Sequence, residues 1–227
     1  MQSSRSRFHE DLQWLEQAVV TEGELAEHSL QKAMEALVHR NDLLSDEVIA
    51  GDDTLDDMYL TVERRILELI ARQTPVAKDL RLVSAILHIN VHLERVGDMA
   101  VNIAKIAKAT VTLPGDARVL SHLEEMADIS RAMLRTAIEA FVRRDLELCM
   151  TLPKMDDPVD NLNRGMYREV VALAGDPRTL EWGVQMHMVA RQLERVGDHA
   201  VDIGEQIGFL LTGEFREFTD ASHPERD

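Results

Sequence analysis

The chain has a single cysteine, Cys149, so no internal disulfide can staple it, and there is no Cys-x-x-Cys pair for a zinc knuckle or redox motif. Aromatic residues make up only 4% of the 227 residues. A core without them must be built from Leu, Val, Ile, Met and Ala, which suits helices better than sheets. No apolar run approaches the roughly 18 residues of a membrane span, so direct membrane insertion is not expected. The stretch from Met1 to His9 lacks the apolar core of a signal peptide, and the expectation is a soluble, cytoplasmic protein. Basic residues are also scarce: 25 Lys and Arg against 41 Asp and Glu leave a net charge of -16. Nucleic-acid binding needs clustered cations against phosphate and is disfavoured, as is simple attraction to anionic lipid. A cation site or a basic protein partner fits that charge. Nor is there a glycine-rich phosphate loop, an H-E-x-x-H motif or a nucleophile with a base at a recognisable spacing.

What the chain does contain is one stretch written twice. Residues 93–98 read Leu-Glu-Arg-Val-Gly-Asp, and residues 193–198 repeat all six. Ala100, Val101 and Ile103 recur in register as Ala200, Val201 and Ile203. An internal duplication follows.

The apolar pattern around the repeat is helical throughout. The first predicted helix, about residues 9–40, carries Phe8, Leu12, Leu15, Val19, Gly23, Ala26, Leu30, Ala33 and Leu37 in the spacing of a bundle seam. The second, about 43–72, follows a turn at Asn41-Asp42, and Thr74-Pro75 ends it because the residue before proline is pushed out of the α region. The third runs from about 77 to 109. Leu113-Pro114-Gly115-Asp116 is the clearest break and divides a first half, 1–113, from a second, 114–212. Shifting the first two helices by 104 residues, and the third by 100, regenerates the second half, with Leu30 on Leu134 and Asp52 on Asp156. The expected architecture is all-α: two tandem, pseudo-symmetric antiparallel three-helix bundles, six long helices in total. Residues 213–227 lose periodicity and read as a flexible polar tail. Pro153 and Pro158 disturb the fifth helix, and Asp157 offers an alternative N-cap with Pro158 at the first helical position.

Carboxylates occupy matching places in both halves. On a helix, positions four apart share a face. Asp52 and Asp56 form one such pair on the second helix, while Glu94, Asp98 and Asn102 form a stripe on the third. Their counterparts are Asp156 and Asp160, then Glu194, Asp198 and Asp202. Gly97 and Gly197 lie inside these helices at a cost of roughly 1 kcal/mol each relative to Ala, so a neighbouring helix or ligand must come close to the backbone there. One reading is a solvated acidic stripe, with Arg95 and Arg195 each paired to the Asp three residues on. The other is a pair of oxygen-ligand sites for hard cations such as magnesium, manganese, calcium or iron, since clustered carboxylates repel unless a cation neutralises them. His88 and His92 sit one turn apart but match Met188 and Gln192, and His92 points away from the acidic stripe, so a surface or core pair is expected. His199, beside Asp198 and Asp202, is a candidate secondary ligand. Glycine, not histidine, follows the acids at +3, against a di-iron oxidase.

These residues carry a family resemblance. Val48-Ile49 with Asp52 and Asp56, then Gln73-Thr74-Pro75, Asp79-Leu80-Arg81 and the 93–98 stretch with Asn102-Ile103 resemble the PhoU family. Asp156, Asp160 and the run from Leu193 through Asp202 repeat the likeness, which covers about residues 8–212. It implies a negative regulator of phosphate uptake and of the phosphate-starvation response. Its partners would be the phosphate ABC transporter and the sensor histidine kinase of the phosphate regulon, and it would often be a homodimer. It also implies metal ions on the E/D-x-x-x-D motifs, with iron, zinc, manganese or magnesium as candidates. The chain departs from strict internal symmetry in Asp202, where the first half has Asn102, and in the two prolines. A metal-dependent enzyme using the carboxylates, and a metal-free helical adaptor, are the alternatives.

Overall fold

Side-chain caps close most of the breaks in the helical pattern. The computed structural model describes residues 2–218, with side chains from residue 6 onward. Its helices are α1 (Gln2–His39), α2 (Asp42–Gln73), α3 (Ala77–Thr110), α4 (Ala117–Arg143), the four-residue α5 (Leu146–Cys149), α6 (Leu152–Ala172) and α7 (Pro177–Thr212), and the described residues contain no strand. Asn41 accepts from the Leu44 amide, Asp145 from Leu148 and Asp176 from Thr179. Asp116 accepts from both Arg118 and Val119, each at 3.0 Å. Each such bond satisfies a donor that the first helical turn leaves without a partner. Asp116→Ala should therefore cost about 1 kcal/mol, read as a fall of roughly 2–4 °C in thermal midpoint for a chain of this size. An unchanged midpoint would show that water replaces the cap at no cost.

Thr74 ends α2 in the left-handed region, φ 44° and ψ 61°, outside the right-handed helical region that Pro75 disfavours for it, although not in the extended conformation a following proline usually selects. The proline-bearing segment begins at Leu152, not at Asp157. Pro153 falls in the first turn of α6, where its missing N–H costs nothing, and α6 continues through Pro158 as one helix.

α1, α2 and α3 pack on one another, as do α4, α6 and α7, while α3 against α7 and α1 against α4 join the two halves. The core is largely aliphatic: Leu30, Ile66, Ile86, Ile89 and Leu93 are fully buried on one side, with Leu123, Leu134, Val189 and Leu193 on the other. Each such side chain contributes about 1.5–3 kcal/mol by leaving water. α1 is buried on more than one face because α2, α3 and α4 all touch it. That wider face holds Ala18, Ala36 and also Glu22, which is 1% exposed with no hydrogen-bond partner on either carboxylate oxygen. Burial pushes the Glu22 carboxyl up to about 8.

Gly213 ends α7 with φ 82°. The segment beyond it turns back: the Phe218 amide donates to Glu205 Oε1 at 2.7 Å, and the Phe218 ring lies close over Gly204 and Gly208. The remainder of the expected tail, residues 219–227, lies outside the described residues. Among those described, no helix is long and apolar enough to cross a membrane.

Candidate functional site

α2 brings Asp52 and Asp56 to α3, which carries Glu94, Asp98 and Asn102. The glycine explains the approach. A Cβ on Gly97 would fall 2.3 Å from Leu55 Cδ2 and 3.8 Å from Asp52 Oδ1, so the bare backbone at 97 is what lets α2 come in. The carboxylates then crowd one another. Asp52 has a raised pKa, first from burial and then from Asp56 and Asp98. Glu94 is raised by burial and by Asp98, although Arg95 opposes the shift. The Arg95 guanidinium lies 3.4 Å from Glu94 and donates to Asp98 at 3.0 Å. Asn102, one turn beyond, is exposed.

The second half repeats the plan in tighter form. A Cβ on Gly197 would fall 2.3 Å from Asp156 Oδ1, so here the carboxylate itself fills the glycine's place. Asp156 Oδ1 and Glu194 Oε2 are buried without a hydrogen-bond partner in the protein. Burial, then repulsion from Asp198, Asp160 and Glu194, pushes Asp156 up to about 7. Glu194 and Asp198 are raised as well, each by burial first. Arg191, rather than Arg195, supplies the cation on Glu194, donating at 2.7 Å, and Asn163 donates to the same oxygen at 3.4 Å. Arg164 donates to Asp160 at 3.2 Å. The expected pairing of arginine with the aspartate three residues on is thus present at Arg95, while the cation in the second half comes from a different turn.

Asp202 goes elsewhere. Its Oδ2 lies 3.5 Å from His92 Nδ1 and 3.6 Å from His199 Nδ1, and the two Nδ1 atoms are 3.0 Å apart. Among the described residues, this is the one group of histidine, cysteine or acidic side chains that brings three potential ligand atoms within 4.8 Å of one another; no three of the acidic-set carboxylates come that close. His92 is partly buried, and where the sequence predicts a surface or core pair with His88 its partner is His199 of the other half. Burial lowers it to about 4, which keeps its imidazole neutral at neutral pH. The signal for this contact was faint: His92 and Met99, the match of His199, are two turns apart on one face of α3. Only the docking of α3 on α7 turns that spacing into an encounter.

Cys149 is buried, and burial pushes its thiol up to about 11, so it has no character of a nucleophile.

The fold is shared with known proteins. The family model described as the PhoU domain matches residues 19–107 and again 123–207. A phosphate-specific transport system accessory protein PhoU homolog of Caulobacter vibrioides is 35% identical over 208 residues, 91% of this chain and 90% of the relative. One of the same name from Clostridium acetobutylicum is 31% identical over 221 residues, 96% of this chain and all of the relative. The crystal structure of PhoU from Pseudomonas aeruginosa superposes with a TM-score of 0.86 at 28% identity, covering 91% of this chain and 100% of that one. The phosphate transport system regulatory protein PhoU from Streptococcus pneumoniae gives 0.84 at 26% identity over 92% of this chain and 99% of its own. With the family model matching both halves, and both halves built on the same glycine-centred pair of helices, the chain belongs to the PhoU family.

Proposed function

We propose that the chain is a cytoplasmic negative regulator of phosphate uptake and of the phosphate-starvation response, working by docking and not by catalysis. The observation that carries the reading is the doubled acidic set, held at matching places on paired helices in the two halves. The relatives' names support the phosphate system as its setting: those proteins are named accessory or regulatory proteins of phosphate transport. Its partners are then the phosphate ABC transporter and the sensor histidine kinase of the phosphate regulon, and it works as a homodimer. The net charge of -16 favours basic docking surfaces on those partners.

Metal belongs to this reading as a structural pin. Asp52, Asp56, Glu94 and Asp98 would hold one centre, and Asp156, Asp160, Glu194 and Asp198 the other. The fit is chemical: oxygen donors, raised carboxyl pKa values and the two unpartnered oxygens of Asp156 and Glu194 all call for positive charge. A bound cation would neutralise a repulsion that otherwise opposes the packing of α2 on α3 and of α6 on α7. A cation at 100 times its dissociation constant would add about 2.7 kcal/mol to stability. Arg95, already between Glu94 and Asp98, favours a second reading, the metal-free adaptor, for the first half.

Two measurements test these statements. Deleting the gene should leave the starvation response switched on in plentiful phosphate, and normal repression in the deletion strain would refute the regulatory reading. Elemental analysis of protein purified without chelator should find metal, and Glu94→Ala with Asp98→Ala should remove the first centre's share without unfolding the chain, since both acids flank the apolar seam. Metal content unchanged by that pair of substitutions would give the first half to the adaptor reading. Robust substrate turnover by the pure protein would favour the enzyme.

A further inference from the structure

We infer that His92, His199 and Asp202 form a third metal site, different in chemistry from the acidic sets, which takes a zinc-like divalent ion and ties the first half of the chain to the second. The case is geometric. The three ligand atoms are separated by 3.0, 3.5 and 3.6 Å. Ligand atoms about 2.0–2.1 Å from a tetrahedral zinc lie about 3.3 Å from one another. The triangle is therefore already close to the face of such a tetrahedron. Small rotations of two rings, tilted 50° to each other with centroids 5.2 Å apart, would complete it.

The donor set selects the ion. Two imidazole nitrogens and one carboxylate oxygen suit zinc and its late first-row neighbours, whereas magnesium and calcium take oxygen-only sets. The surroundings allow entry: the histidine side chains are 19% and 18% exposed, and Asp202 at the rim is 44% exposed. A fourth position would be left to water. One ligand comes from α3 and two from α7, so the ion would bridge the seam between the halves, beside Asp198 of the second acidic set. The competing account is a neutral histidine pair, one ring donating to the other, with Asp202 beside it.

The other repeat supplies the variants. His92→Gln and His199→Met each install the residue found at the matching position of the other half, Gln192 and Met99, both of them buried there. Zinc(II) is titrated into the metal-stripped full chain, and the bound ion is examined by X-ray absorption. Wild type should hold one zinc equivalent with two imidazoles in its coordination sphere. Either substitution should weaken that equivalent at least about tenfold, as loss of a ligand costs no less than loss of its supporting shell. Asp156→Asn with Asp160→Asn should leave the imidazole-bound zinc in place. The proposal is overturned if wild type at stoichiometric zinc shows oxygen ligands alone, or if both histidine variants keep wild-type affinity. Loss of the imidazole-bound zinc in the Asp156/Asp160 variant would also overturn it, by making the histidines part of the acidic centre. The wild-type spectrum decides the first point even if a variant fails to fold.

Discussion

Replacing Glu22 with glutamine should make the protein more stable near pH 8 by on the order of 4 kcal/mol, and should change little near pH 4.5. Glu22 is buried in α1 with both oxygens unpartnered, and its carboxyl keeps its proton in the folded chain up to about pH 8, against 4.5 when free. Between those values the folded state binds a proton that the unfolded state has released. Stability therefore falls as pH rises across this window and levels off above it. Glutamine keeps the shape and cannot ionise, so its curve lacks that fall. Asp156, raised from 3.8 to about 7, adds a fall of the same sign that persists in the variant, so the quantity to read is the difference between the two profiles. Denaturant unfolding at the two ends of the window supplies it. Parallel profiles would mean that Glu22 is ionised in the fold and has found a partner.

Valine at the two paired glycines should have unequal effects. At Gly97 the new Cβ meets Leu55, which is 4% exposed and packed in the core. Overpacking of this kind costs about 1–3 kcal/mol, and the upper end is expected for Gly97→Val. At Gly197 the obstacle is the far end of a flexible side chain, the Asp156 carboxylate. That group can swing toward water and regain hydration, so Gly197→Val should cost about 1 kcal/mol or less. Its main effect should be on cation binding by the second acidic set, weakened at least about tenfold as Asp156 leaves its place. Calorimetry of folding and of metal titration separates the two. Equal losses of stability at 97 and 197 would remove the distinction between a glycine that admits a core side chain and one that seats a ligand.

The contrast explains what a string of residues can and cannot convey here. Two identical hexapeptides, 93–98 and 193–198, set in matching apolar stripes, mark a duplication that places α3 and α7 and makes the bundles equivalent. The four-residue spacing of Asp52 with Asp56, and of Glu94 with Asp98, orients each pair on its helix, and Gly97 marks where the helices meet. Glu22 is harder to anticipate. A single apolar stripe assumes a single contact face, which puts Gly23 in the seam and Glu22 outside it, whereas α1 faces α2, α3 and α4 at once. The meeting of His92 with His199 and Asp202 is harder still. Helical periodicity describes each helix about its own axis, and the repeat describes each half. Neither says how one half is set against the other, and that setting creates the histidine cluster.

The same seam imposes an order on synthesis. α3 is complete at Thr110, but α7, which covers its face around His92, ends only at Thr212. A ribosome needs roughly 5–20 s to make the intervening residues at about 5–20 residues per second. Helices and short-range bundles form in far less time, so α1, α2 and α3 gather while α3 still has an uncovered apolar side. The nascent chain passes through a period in which the first three helices are made but α3 lacks the neighbour that covers it in the finished chain. During that period two chains emerging close together on one messenger can pair α3 with the wrong copy.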